Sequence, residues 1–213
     1  MKRLLFKLRG LKLQGFTLVE LLVVITIITI LAGLTLSTVE YANKKAAMDR
    51  ARTEIAGLEV ALESYKIDTG DYPRSSNYSQ LDNMAADKLN AQTDLNATYV
   101  AGGKYQLASL ALYEALSADT NADRVISSAE KAAGRVYFPF KPNMLYPPSP
   151  VGAAAVAVTG IADPFHNIYG YSTIGSSTTG TQAGGYNPTF DIWSTVDPKK
   201  SGTTPLATWI TNW

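Results

Sequence analysis

Residues 16–36, FTLVELLVVITIITILAGLTL, form a run of 21 residues carrying one charge, Glu20. At 1.5 Å rise per residue, a helix of that length spans about 31 Å, close to the roughly 30 Å hydrocarbon core of a bilayer. Lys2, Arg3, Lys7, Arg9 and Lys12 precede the run, with no acid among the first fifteen residues. A basic flank ahead of an apolar run places the N-terminus in the cytoplasm and the remainder across the membrane. Three readings fit. A secretory signal peptide needs a shorter apolar region and a small-residue cleavage site; Ala32-Gly33 offers such a site, but the run continues past it. A plain membrane anchor explains the length. Neither explains Glu20, because a carboxylate inside the span costs about 2.5–3.5 kcal/mol on insertion scales and calls for a partner or a function.

Composition narrows the chemistry. The chain has 213 residues, a net charge of +1, no cysteine and one histidine, His166. That excludes a disulfide scaffold, a thiolate zinc site, a cysteine nucleophile and a multi-histidine metal site. The near-neutral balance argues against a nucleic-acid-binding protein. No G-x-S-x-G, Walker A or H-E-x-x-H motif occurs.

The segment KLQGFTLVELLVVITIITILAGL resembles the class III signal of type IV prepilins and type II secretion pseudopilins. Gly15, Phe16 and Glu20 match the family motif residue by residue, and Thr17-Leu18 fit it. The resemblance implies that prepilin peptidase cuts between Gly15 and Phe16 and that Phe16 is then N-methylated. It implies that Glu20 meets the N-terminal amine of a neighbouring subunit as helices pack into a filament. Pairing the two charges lowers the cost of taking both out of water and sets the axial register. The alternative for Glu20 is to snorkel toward the cytoplasmic headgroups. The chain departs from the family pattern in lacking a proline near Ser37 and a small residue near Thr29.

From Ser37 to Asp68 there is no proline, and Gly57 is the only glycine. Ala47, Ala51, Ile55, Leu58, Leu62 and Tyr65 recur at spacings of three and four, which predicts an amphipathic continuation of the helix packed on a sheet. Gly70 and Pro73 stop it, so the whole helix holds about 54 residues and measures roughly 80 Å. ALESYKIDTGDYP resembles the segment that ends this helix in the major pseudopilin of type II secretion. Residues 74–103 are polar, with one expected short helix around 81–89. Residues 106–117 read as a second helix. Residues 136–150, rich in proline and aromatics, are expected to lie as extended chain over the core, without ladder strands.

Residues 119–130, DTNADRVISSAE, have the spacing of an EF-hand-like calcium loop. Asp119, Asn121 and Asp123 stand at positions 1, 3 and 5, Val125 offers a carbonyl at 7, Ser127 stands at 9 and Glu130 at 12. Arg124 occupies the position where such a loop needs glycine. The other reading is an Asp/Asn-rich turn that caps a helix starting at Ser127 or Ser128.

Residues 168–174 and 189–196 have strand composition and are joined by a Gly/Ser/Thr-rich loop, which predicts an antiparallel pair. ADPFHNIYGY, FDIWS and the final NW resemble the C-terminus of the major pseudopilin; Asp163, Pro164, Asn167, Tyr169, Phe190, Asp191, Ile192, Ser194, Asn212 and Trp213 match it. In that family the loop after F-D-I-x-S binds calcium. Here Asp197 remains while the acidic pair before Asn-Trp is replaced, which weakens the case for a hard cation there. His166 is expected to be a solvated turn residue.

The resemblance implies an α+β, type IV pilin-like fold: a long N-terminal helix, half transmembrane and half amphipathic, packed on a small antiparallel sheet. The expected organisation is a cleaved leader at 1–15, a transmembrane helix at 16–36, its amphipathic continuation at 37–70 and a globular domain at 71–213. The implied function is structural and not enzymatic: a pseudopilin that assembles into the pilus-like filament of a type II protein secretion system. The implied partners are further copies of itself, prepilin peptidase/methyltransferase, other pseudopilins and an inner-membrane assembly platform, without nucleic acid; calcium is the one implied cofactor. The implied location is the bacterial inner membrane, single-pass, with the N-terminus cytoplasmic and the C-terminal domain periplasmic. The alternatives are a type IV pilin or minor pilin for adhesion, motility or DNA uptake, and a membrane-tethered binding module. The missing cysteines count against an ordinary type IVa pilin, which closes its C-terminal loop with a disulfide.

Overall fold

The computed structural model describes residues 15–74, 86, 89–94, 103–148, 156–176, 184–196 and 208–213, without the side chains of 35–38. Contacts divide the chain into two compact units, Met1–Lys44 and Lys45–Trp213. Helix α1, Leu18–Thr69, contributes residues to both.

In the first unit α1 is apolar on every side, and its large side chains from Leu18 to Leu34 are all exposed. It contains the one stretch among the described residues that is long and apolar enough to cross a membrane, with a mean hydropathy of 2.5. Two hydroxyls inside that stretch are satisfied locally: Thr26 donates to the Leu22 carbonyl at 2.7 Å and Thr29 to that of Ile25 at 2.6 Å. Such back-bonding removes the need for a water partner. The helix runs through residue 37 without interruption, as a stretch without proline permits.

In the second unit the same helix is amphipathic. Ala51, Ile55, Leu58 and Leu62 are buried, with Ala47 and Tyr65 half-buried at the ends of the expected stripe. Each fully buried leucine or isoleucine contributes about 1.5–3 kcal/mol. Gly70, at φ +91°, ends the helix, its N–H bonded to the Lys66 carbonyl at 2.8 Å. Glycine enters this left-handed region without the Cβ penalty, which is why it closes so many helices.

Helix α2, Lys104–Ser117, is followed by the short α3, Ser128–Ala133. Strands β1, Leu145–Tyr146, and β2, Gly160–Ile161, pair antiparallel, Leu145 opposite Ile161. Strands β3, Gly170–Ser172, β4, Asp191–Ser194, and β5, Ile210–Thr211, form an antiparallel sheet in the order β3-β4-β5, with Tyr171 opposite Ile192 and Ser194 opposite Ile210. The core joins the α1 stripe to Leu112 and Leu116 of α2 and to Ile161, Tyr169, Tyr171 and Ile192. A second cluster gathers Leu89, Tyr105, Ala108, Ile168 and Trp193.

The fold class is therefore the expected one, with two differences of detail. The proline-rich segment does contain a ladder strand, β1, because Leu145 and Tyr146 lie between the prolines and keep their N–H groups. The C-terminal pair gains a third strand, β5. The expected helix around 81–89 lies mostly outside the described residues, as do residues 1–14 of the leader.

Candidate functional site

Thr17 stands immediately before α1 and Glu20 lies in its first turn. The Glu20 Oε2 accepts from the Thr17 N–H at 2.8 Å and from its hydroxyl at 2.7 Å. In return the Glu20 N–H donates to Thr17 Oγ1 at 3.3 Å. This is a reciprocal capping box, in which the first orphan N–H groups of a helix are satisfied by side chains. The helix N-terminus also favours a carboxylate through its dipole. Gly15 and Phe16 precede it, exposed and outside the helix. The geometry brings the expected processing and assembly residues together within six positions. It adds one that the residue-level reading did not give a role, Thr17. The T-x-x-E spacing ahead of an apolar run was the available signal.

The 119–130 turn is closed by hydrogen bonds within the chain. Asp119 is buried; its Oδ1 accepts from the Asp123 N–H at 3.2 Å, and its Oδ2 accepts from the Arg124 N–H at 2.8 Å and the Tyr113 hydroxyl at 2.7 Å. Burial and the Asp119 carboxylate both push the Tyr113 phenol upward. Asn121 accepts from the Asp123 N–H at 3.1 Å, and Asp123 accepts from the Val125 N–H at 2.8 Å. Ser127 is the N-cap of α3, with a capping box to Glu130. Glu130 Oε2 takes the Ser127 N–H at 2.9 Å and hydroxyl at 2.8 Å, and its Oε1 takes the N–H and hydroxyl of Thr120, both at 3.0 Å. The bond from the Ser127 backbone, then its hydroxyl, hold the carboxyl down to about 2. Arg124 adopts φ +73°, the left-handed conformation for which a loop of this spacing keeps glycine. Its Nε donates to the Val156 carbonyl at 2.5 Å and its Nη2 to that of Pro147. The helix-cap geometry is thus present. Among the described residues no three His, Cys, Asp or Glu side chains are placed to hold a metal ion. Asp197 lies outside the described residues.

At the C-terminal end, two buried carboxylates pin turns to β4. Asp163 Oδ1 accepts from the N–H groups of Phe165 at 2.9 Å and Asn167 at 2.8 Å, and its Oδ2 from the Ser194 hydroxyl at 2.5 Å. Asp191 accepts from the N–H groups of Tyr186 and Asn187, both at 2.8 Å. Burial pushes both carboxyls above the usual aspartate range, against the pull of those hydrogen bonds. The Asn212 side chain caps the edge of β4 that faces β5, accepting from the Ile192 N–H at 2.9 Å and donating to the Phe190 carbonyl at 3.2 Å. Of the residues that resemble the pseudopilin C-terminus, Asp163 is thus tied to Asn167 and Ser194, and Asn212 to Phe190 and Ile192. His166 is exposed in the turn at φ +65°.

Comparison with known proteins matches two parts of the chain. Residues 12–36 fit the model of the prokaryotic N-terminal methylation motif, and residues 38–107 fit that of type II secretion system protein G. The chain is 42% identical over 65 residues to type II secretion system core protein G of Escherichia coli, covering 30% of this chain and 45% of that protein. It is 44% identical over 60 residues to the Aeromonas hydrophila protein of the same name, covering 28% and 42%. Against the Vibrio cholerae protein it is 42% identical over 62 residues, covering 29% and 42%. The matches span less than half the length of these curated relatives, whose names describe components of a secretion system and no enzyme. No solved structure matches the chain.

Proposed function

We propose that this chain is a pseudopilin, a structural subunit that assembles into the pilus-like filament of a type II secretion system. In this reading the peptidase cuts between Gly15 and Phe16, and Phe16 is methylated. The carboxylate of Glu20 then meets the new amine of the neighbouring subunit. Its partners are the peptidase/methyltransferase, other pseudopilins and an inner-membrane assembly platform. The chain sits single-pass in the inner membrane, with its N-terminus cytoplasmic and the second unit periplasmic. The observation that carries the reading is the methylation motif placed on the first turn of an exposed apolar helix, with Glu20 already oriented by Thr17. That cap supplies two donors to the carboxylate in the free subunit and eases its entry into the bilayer interface.

Mass spectrometry of the membrane fraction is expected to show loss of residues 1–15 and gain of one methyl group. Glu20→Ala is expected to insert at least as well as the unmodified chain and to lose filament formation or secretion. A full-length, unmethylated chain in cells with active peptidase overturns the processing; normal filaments from Glu20→Ala alone overturn the pairing.

Calcium belongs to the same reading as a separate element, supported by the spacing of Asp119, Asn121, Asp123, Val125, Ser127 and Glu130. The ion would have to draw Glu130 out of its bonds to Ser127 and Thr120. Millimolar calcium is expected to raise the melting temperature by mass action on the folded state. Asp119→Ala with Glu130→Ala is expected to abolish the shift. An unmoved melting temperature leaves the turn as a helix cap only, and a shift abolished by Asp197→Ala alone moves the site to the C-terminal loop.

A further inference from the structure

We propose that a cavity beside α2 binds a small amphipathic anion, one with an aromatic body and a single carboxylate. The site lies within the second unit and does not depend on the filament reading.

The end of α2, the turn 124–126 and the segment 136–145 enclose the cavity. Its volume is about 480 Å³, within the roughly 300–1,000 Å³ of small-molecule sites. Ile126, Phe138, Phe140 and Leu145 make most of its lining apolar. Val136, also on the lining, is 41% exposed, so the cavity reaches the surface.

The aromatic walls are held from behind. The N–H groups of Tyr137 and Phe138 both donate to the Leu116 carbonyl, at 2.8 and 3.0 Å. The Phe138 ring lies against α1 where Gly57 leaves room; a Cβ there would stand 3.1 Å from its Cε2. Phe140 packs on Phe138 and on Tyr113, with ring centroids 4.8 and 5.1 Å apart. Pro139 and Pro142 fix the backbone φ on either side of Phe140. Walls anchored in this way do not collapse into the space between them. A ring entering it continues the Phe138–Phe140–Tyr113 series in the tilted geometry that aromatic pairs prefer.

Among the described residues, the one charged group on the lining is Arg124, and no carboxylate lines the cavity. The Arg124 Nε donates to the Val156 carbonyl and its Nη2 to that of Pro147, which fixes the guanidinium and leaves further N–H donors over. Arg50, Arg52, Arg74 and Arg135 each pair with a carboxylate at 3.0 Å or less. Arg124 is the one described arginine with no such pair. The carboxylate of its own turn, Asp119, is occupied by the Tyr113 hydroxyl and by the Asp123 and Arg124 N–H groups. A fixed cation without a counter-ion, set in the wall of an aromatic cavity, selects a ligand whose anionic end is attached to an apolar body.

The test uses the full chain in phosphatidylcholine nanodiscs, with para-fluorophenylbutyrate as the probe and its fluorine NMR line width as the readout. The expected result is saturable broadening that empty discs do not give, and about tenfold weaker binding of the neutral para-fluorophenylbutyramide. Arg124→Gln is expected to bring the two probes to the same affinity. Ile126→Trp and Val136→Trp, each filling the cavity from its own side, are expected to abolish binding of both. Retained near-ultraviolet tryptophan dichroism shows which variants are folded; if Arg124→Gln is not, the acid and the amide are still compared on the unaltered chain. Equal affinities of acid and amide there overturn the role of Arg124 and with it the proposal. Broadening that survives either tryptophan substitution in a folded chain places the probe elsewhere and overturns it too, as does broadening no greater than that of empty discs.

Discussion

Leu31 and Leu58 are leucines of the same helix, yet the first is 57% exposed and the second fully buried. Around Leu31 every large side chain is apolar and outward. Around Leu58 an apolar stripe faces α2 and the sheets while Glu59 and Val60 face away. One backbone conformation therefore serves two environments, and the pattern of side chains, not helix propensity, decides which. A uniformly apolar stretch needs an apolar medium around it, whereas a striped one makes its own medium by folding.

The largest expected effect lies on the striped side. Leu58→Ala is expected to lower the unfolding free energy of the second unit by about 2–5 kcal/mol, read by urea unfolding in detergent micelles. A loss below 1 kcal/mol would mean that the stripe is not what holds the unit together. Next comes Asp163→Ala, which strips an acceptor from the Phe165 and Asn167 N–H groups and the Ser194 hydroxyl. Its expected cost is about 2–3 kcal/mol, from donors left buried and unpaired.

A smaller effect is expected at the α3 cap, where Ser127→Ala is expected to cost about 0.5–2 kcal/mol. The cap also carries a pH signature. The Glu130 carboxyl is held down to about 2, so its contribution is complete above the ordinary carboxylate range and is lost as pH falls toward 2. Ser127→Ala is expected to flatten that acid limb. Asp163 and Asp191 have the opposite sign. Burial raises their folded values, so the charged form is disfavoured in the fold and acidification through those values favours it. The smallest effect is expected on the other half of the comparison: Leu31→Ala is expected to leave the urea midpoint of the second unit within experimental scatter. A shift as large as that of Leu58→Ala would erase the distinction between the two halves.

The long elements were legible because they repeat a period. Ala51, Ile55, Leu58 and Leu62 declare their face, and Gly70 with Pro73 declares the stop. The methylation motif was legible because its residues are contiguous. The two-residue strands β1, β2 and β5 were not, since a strand that short has no alternation to read. Their places are set by partners distant in sequence, such as Leu145 opposite Ile161. The acidic turn shows a different limit. Its side chains are the same whether they surround an ion or cap a helix, and spacing alone does not say which donors they meet. Only the fold shows the Glu130 carboxylate already occupied by Ser127 and Thr120.

All three tryptophans of this chain sit in one cluster. Trp193 and Trp209 stack nearly parallel at 5.9 Å, Trp213 meets Trp193 edge-on at 5.9 Å, and the Tyr105 ring packs edge-on against Trp193 while its hydroxyl accepts from the Trp193 indole N–H at 3.0 Å. Indole emission from the whole molecule therefore reports on one place, the docking of the last six residues against β4. Indoles packed this closely sit in a fixed asymmetric setting, so the near-ultraviolet dichroism should carry a tryptophan band that is lost when β5 lifts away. The protein contains its own optical reporter for the end of its chain, silent toward events along the apolar half of α1, where there is no tryptophan at all.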